Sequence, residues 1–243
     1  MHIDAPKTTD LRRHVIQEKG FLRKIYLEWY NAIVAALPTG SGSVLEIGSG
    51  AGFMNDRIPE IITSDVFLSH GVNLVLDGGH LPFRDLTLRA IVMTNVFHHF
   101  SNPQRFLWEA ARCVRFGGTI VMIEPWVTSW SRLIYSKLHH EPFSPEATEW
   151  EFPQRGPLSG ANSALPWIIF QRDRKRFESQ FPQWHIRTVK LMMPFSYIVS
   201  GGVSLRSLSP GWSYDLWRTL EHTLRPLMPR LAMFAQIVLQ KLS

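Results

Sequence analysis

Two hydrophobic periodicities divide the chain. Between residues 8 and 37 the apolar positions Leu22, Ile25, Tyr26, Trp29, Ile33 and Leu37 recur every three or four residues. That is the spacing of one helix face, so one or two helices are expected, with Arg12, Arg13, Arg23 and Lys24 mostly off the face. Pro38 and Gly40 stop the run. Past the short linker Ser41-Gly42-Ser43, the pattern becomes short apolar runs broken by turn residues. Val44 to Ile47, Ile61 to Val66, Val72 to Leu76, Ala90 to Thr94 and Thr119 to Ile123 each read as a buried strand.

The connections between these runs are uneven. Pro59 leaves room for only a short helix after the first strand. Only Phe67 to Gly71 separate the second and third strands, too few for a parallel crossover helix, so a loop is expected there. Ser101-Asn102-Pro103 marks a helix start, with Phe106, Leu107, Ala110, Ala111 and Val114 facing inward and Phe116-Gly117-Gly118 as its end. From 44 to 125 strand and helix alternate, the signature of a doubly wound sheet. Residues 126–183, rich in Trp, Pro, His and Gly, break the alternation, and long connections of this kind usually carry function. Gln171 to Glu178 reads as a charged helix. Trp184 to Leu191 and Leu231 to Leu239 read as strands six and seven, and Trp212, Leu216, Trp217, Leu220 and Leu224 mark a helix between them.

The chain has 243 residues and an apolar share of 45%, enough for one well-buried domain with an insertion. Its single cysteine, Cys113, excludes an internal disulfide framework and suits a reducing compartment. Met1 to Lys7 has no apolar core of the secretory type, and no apolar run approaches the ~20 residues of a membrane span. The expected location is cytoplasmic. The formal charge of +6 raises an anionic partner, nucleic acid or an acidic membrane surface, although the basic residues are scattered. Arg206, Arg218, Arg225 and Arg230 near the Trp-bearing C-terminal helix leave peripheral membrane contact and a core or tunnel role both open.

The candidate chemistry centres on Val44-Leu45-Glu46-Ile47-Gly48-Ser49-Gly50-Ala51-Gly52-Phe53, an apolar strand entering a glycine turn. In an open α/β sheet a ligand lies at the carboxyl ends of the strands. The dinucleotide spacing G-x-G-x-x-G fails because its third small position falls on Phe53, and the G-K-S/T of a P-loop is absent. Asp65 lies 17 residues past Gly48, where an acid can accept both ribose hydroxyl protons or merely cap a helix.

The E-x-G-x-G-x-G run resembles motif I of the class I S-adenosylmethionine-dependent methyltransferases. Asp77-Gly78 after strand three, His80-Leu81-Pro82-Phe83, Asn95-Val96-Phe97-His98-His99-Phe100 after strand four and Gly117-Gly118 before strand five fall in the family's order. The resemblance implies a Rossmann-like fold: a seven-stranded, mostly parallel sheet with an N-terminal helical segment and a substrate-side insertion after strand five. It divides one domain into N-terminal helices (1–41), a cofactor-binding core (42–125), an insertion (126–183) and the last strands with a C-terminal helix (184–243). It implies that strand seven is antiparallel and closes the sheet; the N-terminal helices are expected to pack on the core, with the resemblance offering a lid over the cofactor as the alternative.

For S-adenosyl-L-methionine the matching positions are Glu46, Gly48, Ser49, Gly50, Gly52, Phe53, Asp65, Val66, Asp77, Gly78, Asn95 and Val96, with Asp77 placed for the adenine amino group. A methyl transfer to a hydroxyl needs a base. His98 and His99 are the first candidates, Glu124 and His140 the second, and structural support of the strand end is the alternative for the histidine pair. His139-His140-Glu141 lacks H-E-x-x-H spacing, so no metal is expected, and a base, substrate-binding or structural role stays open for it. The site after strand four lacks the "PPY" type of the amino-group nucleic-acid methylases, and Cys113 lies away from the strand ends. A small acceptor is therefore expected, a hydroxyl of a saccharide- or lipid-linked intermediate. A non-catalytic nucleoside-binding partner subunit and a nucleic-acid methyltransferase are the alternatives.

Overall fold

The computed structural model describes residues 6–138, 141–153, 156 and 160–242. Two N-terminal helices, α1 (Pro6–Glu18) and α2 (Gly20–Ala36), precede the sheet. The strands are β1 (Ser43–Ile47), β2 (Ile62–Asp65), β3 (Leu74–Val75), β4 (Leu88–Thr94), β5 (Val114–Pro125), β6 (Trp184–Met192) and β7 (Phe234–Lys241). Their spatial order is β3-β2-β1-β4-β5-β7-β6. The first five pair in parallel, and β7 runs antiparallel to both β5 and β6. Helices α3 (Pro103–Cys113), α4 (Ser129–Leu138), α5 (Leu165–Trp167), α6 (Arg174–Gln180), α7 (Ser196–Val199), α8 (Tyr214–Thr223) and α9 (Met228–Leu231) complete the elements.

Because strand side chains alternate between faces, the central strands feed two cores. Leu45, Ile47, Ile91, Met93, Ile120 and Met122 point to one side, against Phe106, Leu107 and Ala110 of α3 and Phe170 and Phe177 of the insertion. Val44, Ala90, Val92, Val121 and Ile123 point to the other, against Ile25, Trp29 and Ile33 of α2. Continuous apolar runs are what a sheet covered on both faces requires. Glu46, between Val44 and Ile47, is thereby driven into the α2 side and is buried.

Three expectations change. The helix before β5 ends at Cys113, and Phe116-Gly117-Gly118 belong to the strand. The β4–β5 register jumps from Leu88↔Val114 to Ala90↔Thr119, and Gly117 at φ +71° absorbs the extra residues. Strand seven does not close the sheet: it inserts between β5 and β6, leaving β6 at the edge. In the charged segment, a π-helical turn at Ile168–Arg172 precedes α6. As expected, no helix joins β2 to β3, and Asn102 caps α3 by accepting from the Arg105 amide at 2.9 Å.

Candidate active site

A cavity of about 870 Å³ opens at the carboxyl ends of the parallel strands. Gly48, Asp65, Val66, Asp77, Gly78, Asn95 and Val96 line one part of it, and His98, His99 and Glu141 another. Tyr135 and Tyr197 come from elements after β5, and Thr9 and Arg12 from α1. Glu46, Ser49, Gly50, Gly52 and Phe53 lie beneath this lining or beside it. His139 and His140 lie outside the described residues.

The glycine turn is held from three sides. The Gly50 amide donates to Asp65 Oδ2 at 2.9 Å, and the other Asp65 oxygen accepts from the Phe67 amide at 3.1 Å. Arg13 donates to the Gly50 carbonyl through Nε (3.1 Å) and Nη2 (2.6 Å). Ser49 Oγ donates to the Ser64 carbonyl at 3.0 Å, and Phe53 packs on Tyr30 with ring centroids 5.0 Å apart. Space forbids a side chain at Gly48 and Gly50, as it does at Gly52, where a Cβ would lie 2.7 Å from the Tyr30 hydroxyl. Gly48 sits at φ +72°, where a Cβ would lie 2.3 Å from Val96 Cγ2. A Cβ on Gly50 would lie 2.4 Å from Thr9 Cγ2 and 2.6 Å from Asp65 Oδ2. Burial raises the pKa of Asp65, and raises that of Glu46 to about 7. The Oε2 atom of Glu46 is buried without a hydrogen-bond partner. Asp77 accepts from the Gly79 amide at 2.9 Å and is otherwise largely exposed, as is Leu68 in the helix-free β2–β3 loop.

After β4 the chain turns sharply. Asn95 adopts φ +57°, and its amide donates to the Ile123 carbonyl at 2.9 Å. Phe97–His99 then form one 3₁₀ turn. Glu124, fully buried at the end of β5, accepts from the Val96 and Phe97 amides through Oε1 (2.8 and 2.7 Å). Its Oε2 lies 2.6 Å from His98 Nδ1, and Glu141 Oε2 lies 3.2 Å from His98 Nε2. His98 is thus bracketed by two carboxylates at 1% exposure. Burial opposes its charged form, but Glu124 and Glu141 outweigh burial and hold the pKa up to about 10. His99 stacks on His98 with centroids 4.2 Å apart. Burial and the neighbouring His98 charge drive its pKa down to about 3, so the pair is one imidazolium and one neutral imidazole.

Among the described residues, His98, His99 and Glu141 could also hold a metal ion, with ligand atoms within 4.8 Å of one another. The His98–Glu141 hydrogen bond spans the space between two of them. Arg12, Arg13 and Tyr197 have no local motif to announce a site role: each reaches the cavity or the glycine turn by long-range packing. Only the H-H-E run drew attention to Glu141 beforehand.

Residues 45–122 match the family model described as a methyltransferase domain. No curated protein matches by sequence. Among solved structures, the chain resembles a Thermotoga maritima protein described as an S-adenosylmethionine-dependent, possible histamine N-methyltransferase (16% identity, 95% of this chain and 99% of that one, TM-score 0.55). It also resembles a chain from the Haloferax volcanii complex of the Trm112 activator with a methyltransferase (14% identity, 94% of both chains, TM-score 0.54). A third is geranyl diphosphate C-methyltransferase of Streptomyces coelicolor A3(2), solved with Mg2+, geranyl diphosphate and S-adenosyl-L-homocysteine (12% identity, 94% and 82%, TM-score 0.53). At these identities the likeness is one of fold, while the domain match covers the glycine turn, Asp65, Asp77 and the histidine pair. Residues 45–122 thus carry a methyltransferase domain, in a chain whose fold is that of S-adenosylmethionine-dependent methyltransferases.

Proposed function

We propose that this enzyme transfers a methyl group from S-adenosyl-L-methionine to a hydroxyl of a small acceptor, a saccharide- or lipid-linked intermediate, with His98 as the base. The cofactor supplies a methyl group already activated on a sulfonium. The chain's own residues fit such a cofactor. Gly48 lines the cavity, and a side chain there would meet Val96. Asp65 sits at the end of β2 with one oxygen on Gly50 and one on Phe67, aimed at the same bed. Asp77, with exposed carboxylate oxygen, suits an amino group. Glu46, Ser49, Gly50, Gly52 and Phe53 act from behind, shaping the turn rather than touching the ligand.

The observation that carries the base assignment is the Glu124–His98 contact. Glu124 fixes the ring through Nδ1 and leaves Nε2 toward the cavity, where Glu141 now holds it. As an acceptor hydroxyl displaces Glu141, the imidazolium would pass its Nε2 proton to the departing carboxylate. That leaves a neutral ring, still oriented by Glu124, that could take the hydroxyl proton as the oxygen attacks the methyl group. Cavity walls of Tyr135, Tyr197, Ile134 and Phe234 beside polar His99 and Asn102 suit an acceptor with both apolar and hydroxylated parts. No metal is assigned a role.

Calorimetric titration with S-adenosylmethionine and with S-adenosylhomocysteine tests the reading. Micromolar binding of both is expected. Binding of neither would overturn it and favour a non-catalytic relative.

A further inference from the structure

We infer that α8 and the loop before it form a docking face for an anionic bilayer surface, set at the mouth of the cavity. The segment is amphipathic in the reverse sense to a core helix. On its inner side Arg218 donates to Glu28 (Nε–Oε2 2.7 Å) and pairs with Glu221, and the Tyr214 hydroxyl donates to Glu28 at 2.5 Å. Glu221 in turn accepts from the Phe195 and Ser196 amides at 2.8 and 2.7 Å. With the polar side locked inward, the outer ridge is apolar. Trp212, Leu216 and Leu220 follow at i, i+4 and i+8, and Trp212 is 78% exposed and Leu216 68%. Leu205 and Leu208 in the preceding loop are 66% and 76% exposed. Contiguous exposed apolar side chains of this size mark an interaction surface.

Charge selects the occupant. Arg206, Arg225 and Arg230 are exposed around the ridge, while Asp215 is the one exposed acid of residues 204–231 and pairs with Lys24 at 3.3 Å. An apolar ridge with Trp, rimmed by arginines, matches a bilayer interface with anionic headgroups. Position supports the same occupant. Gly201 to Leu205 belong to the cavity wall, so the ridge runs into the mouth. A protein seated there would cover the entrance, whereas a bilayer would present to it an acceptor carrying an acyl or prenyl chain. No helix among the described residues is long and apolar enough to cross a membrane, so the contact is superficial. The delivery of acceptor rests on the function proposed above; the docking itself does not.

Co-sedimentation of the full chain with vesicles is the test. One set is phosphatidylcholine alone, the other equal parts phosphatidylcholine and phosphatidylglycerol. Binding to the mixed vesicles is expected, with little to phosphatidylcholine alone and a loss at high salt. The double variant Trp212→Ser/Leu216→Gln and the double variant Arg225→Gln/Arg230→Gln should each weaken partition about tenfold or more. Both should keep the thermal midpoint and the cofactor affinity, measured without lipid. Failure of the wild type to bind mixed vesicles, or ridge variants that bind as well as wild type, overturns the proposal. So does a ridge variant that only converts a dimer to a monomer. Cofactor titration without lipid reads the methyltransferase assignment separately, so either can fail alone.

Discussion

His98 Nδ1 lies 2.6 Å from Glu124 Oε2, and the same carboxyl group caps the turn that carries His98 by accepting two backbone amides through Oε1. One side chain therefore sets both the position and the tautomer of the ring. Glu124→Gln keeps the shape but turns one hydrogen-bonding atom from acceptor to donor. Methyl transfer should fall roughly 10²- to 10⁴-fold in kcat, with cofactor affinity little changed. Single-turnover rates with a saturating acceptor, alongside calorimetry, check this; a near-normal rate would remove His98 as base.

The pH dependence of stability follows from the same pair of carboxylates. The folded state holds the His98 proton up to about pH 10, above the ~6.5 of an unfolded histidine. Its stabilisation is complete below pH ~6.5 and is lost as pH rises through about 10. Glu141→Gln removes one of the two partners. The variant should lose less of its thermal midpoint between pH 7 and 10 than wild type does, and its methyl-transfer rate should begin to rise at lower pH. Parallel melting curves and pH–rate profiles decide it.

Glu46 carries the opposite burden. Burial raises its pKa to about 7, so the fold prefers the protonated acid, and stability declines as pH climbs from the unfolded value of ~4.3 toward 7. Glu46→Gln should remove that decline and raise the melting temperature at pH 8. Each kcal/mol gained appears as roughly 2–4 °C in a chain of this size.

Gly50→Val should abolish cofactor binding without unfolding the chain, because its side chain would displace Asp65 Oδ2 and Thr9 rather than enter a core. Asp65→Ala should do the same by releasing the Gly50 amide. Titration calorimetry and far-ultraviolet dichroism on both variants distinguish a lost bed from a lost fold.

Arg218 is almost buried between Glu28 and Glu221. Arg218→Met leaves the buried Glu221 carboxylate without its cation, beside the part-exposed Glu28, and should cost about 3 kcal/mol in urea unfolding. Treatment with a chelator, by contrast, should leave methyl transfer unchanged, since the reading gives His98, His99 and Glu141 no metal to lose.

The sheet was legible in the chain because its signals are local. Val44 to Ile47 and Ala90 to Thr94 declare a strand buried on both faces by composition alone, and the five-residue gap from Phe67 to Gly71 forbids a helix by length. Gly117-Gly118 was ambiguous: the same pair ends a helix or absorbs a strand irregularity, and only the β4–β5 register decides. The place of β7 depends on pairing across the whole fold, which no periodicity encodes. The site divides in the same way. The glycine turn and Asp65 draw attention by their spacing, and Asp77 and the histidine pair by their resemblance to the family's pattern. Arg13 gripping Gly50 and Glu141 reaching His98 span 37 and 43 residues, and nothing near them in sequence names the partner.

The Glu141–His98 contact ties the insertion to the proton on one imidazole. A hydrogen bond of this kind is strongest with the ring charged, so taking that proton away and loosening the insertion are two descriptions of one equilibrium. Amide hydrogen exchange in residues 141–153 should then respond to whatever discharges His98, whether alkali or transfer of its proton to Glu141 as an acceptor displaces that carboxylate. The loop becomes a readout of protonation state that needs neither a labelled methyl group nor knowledge of the acceptor.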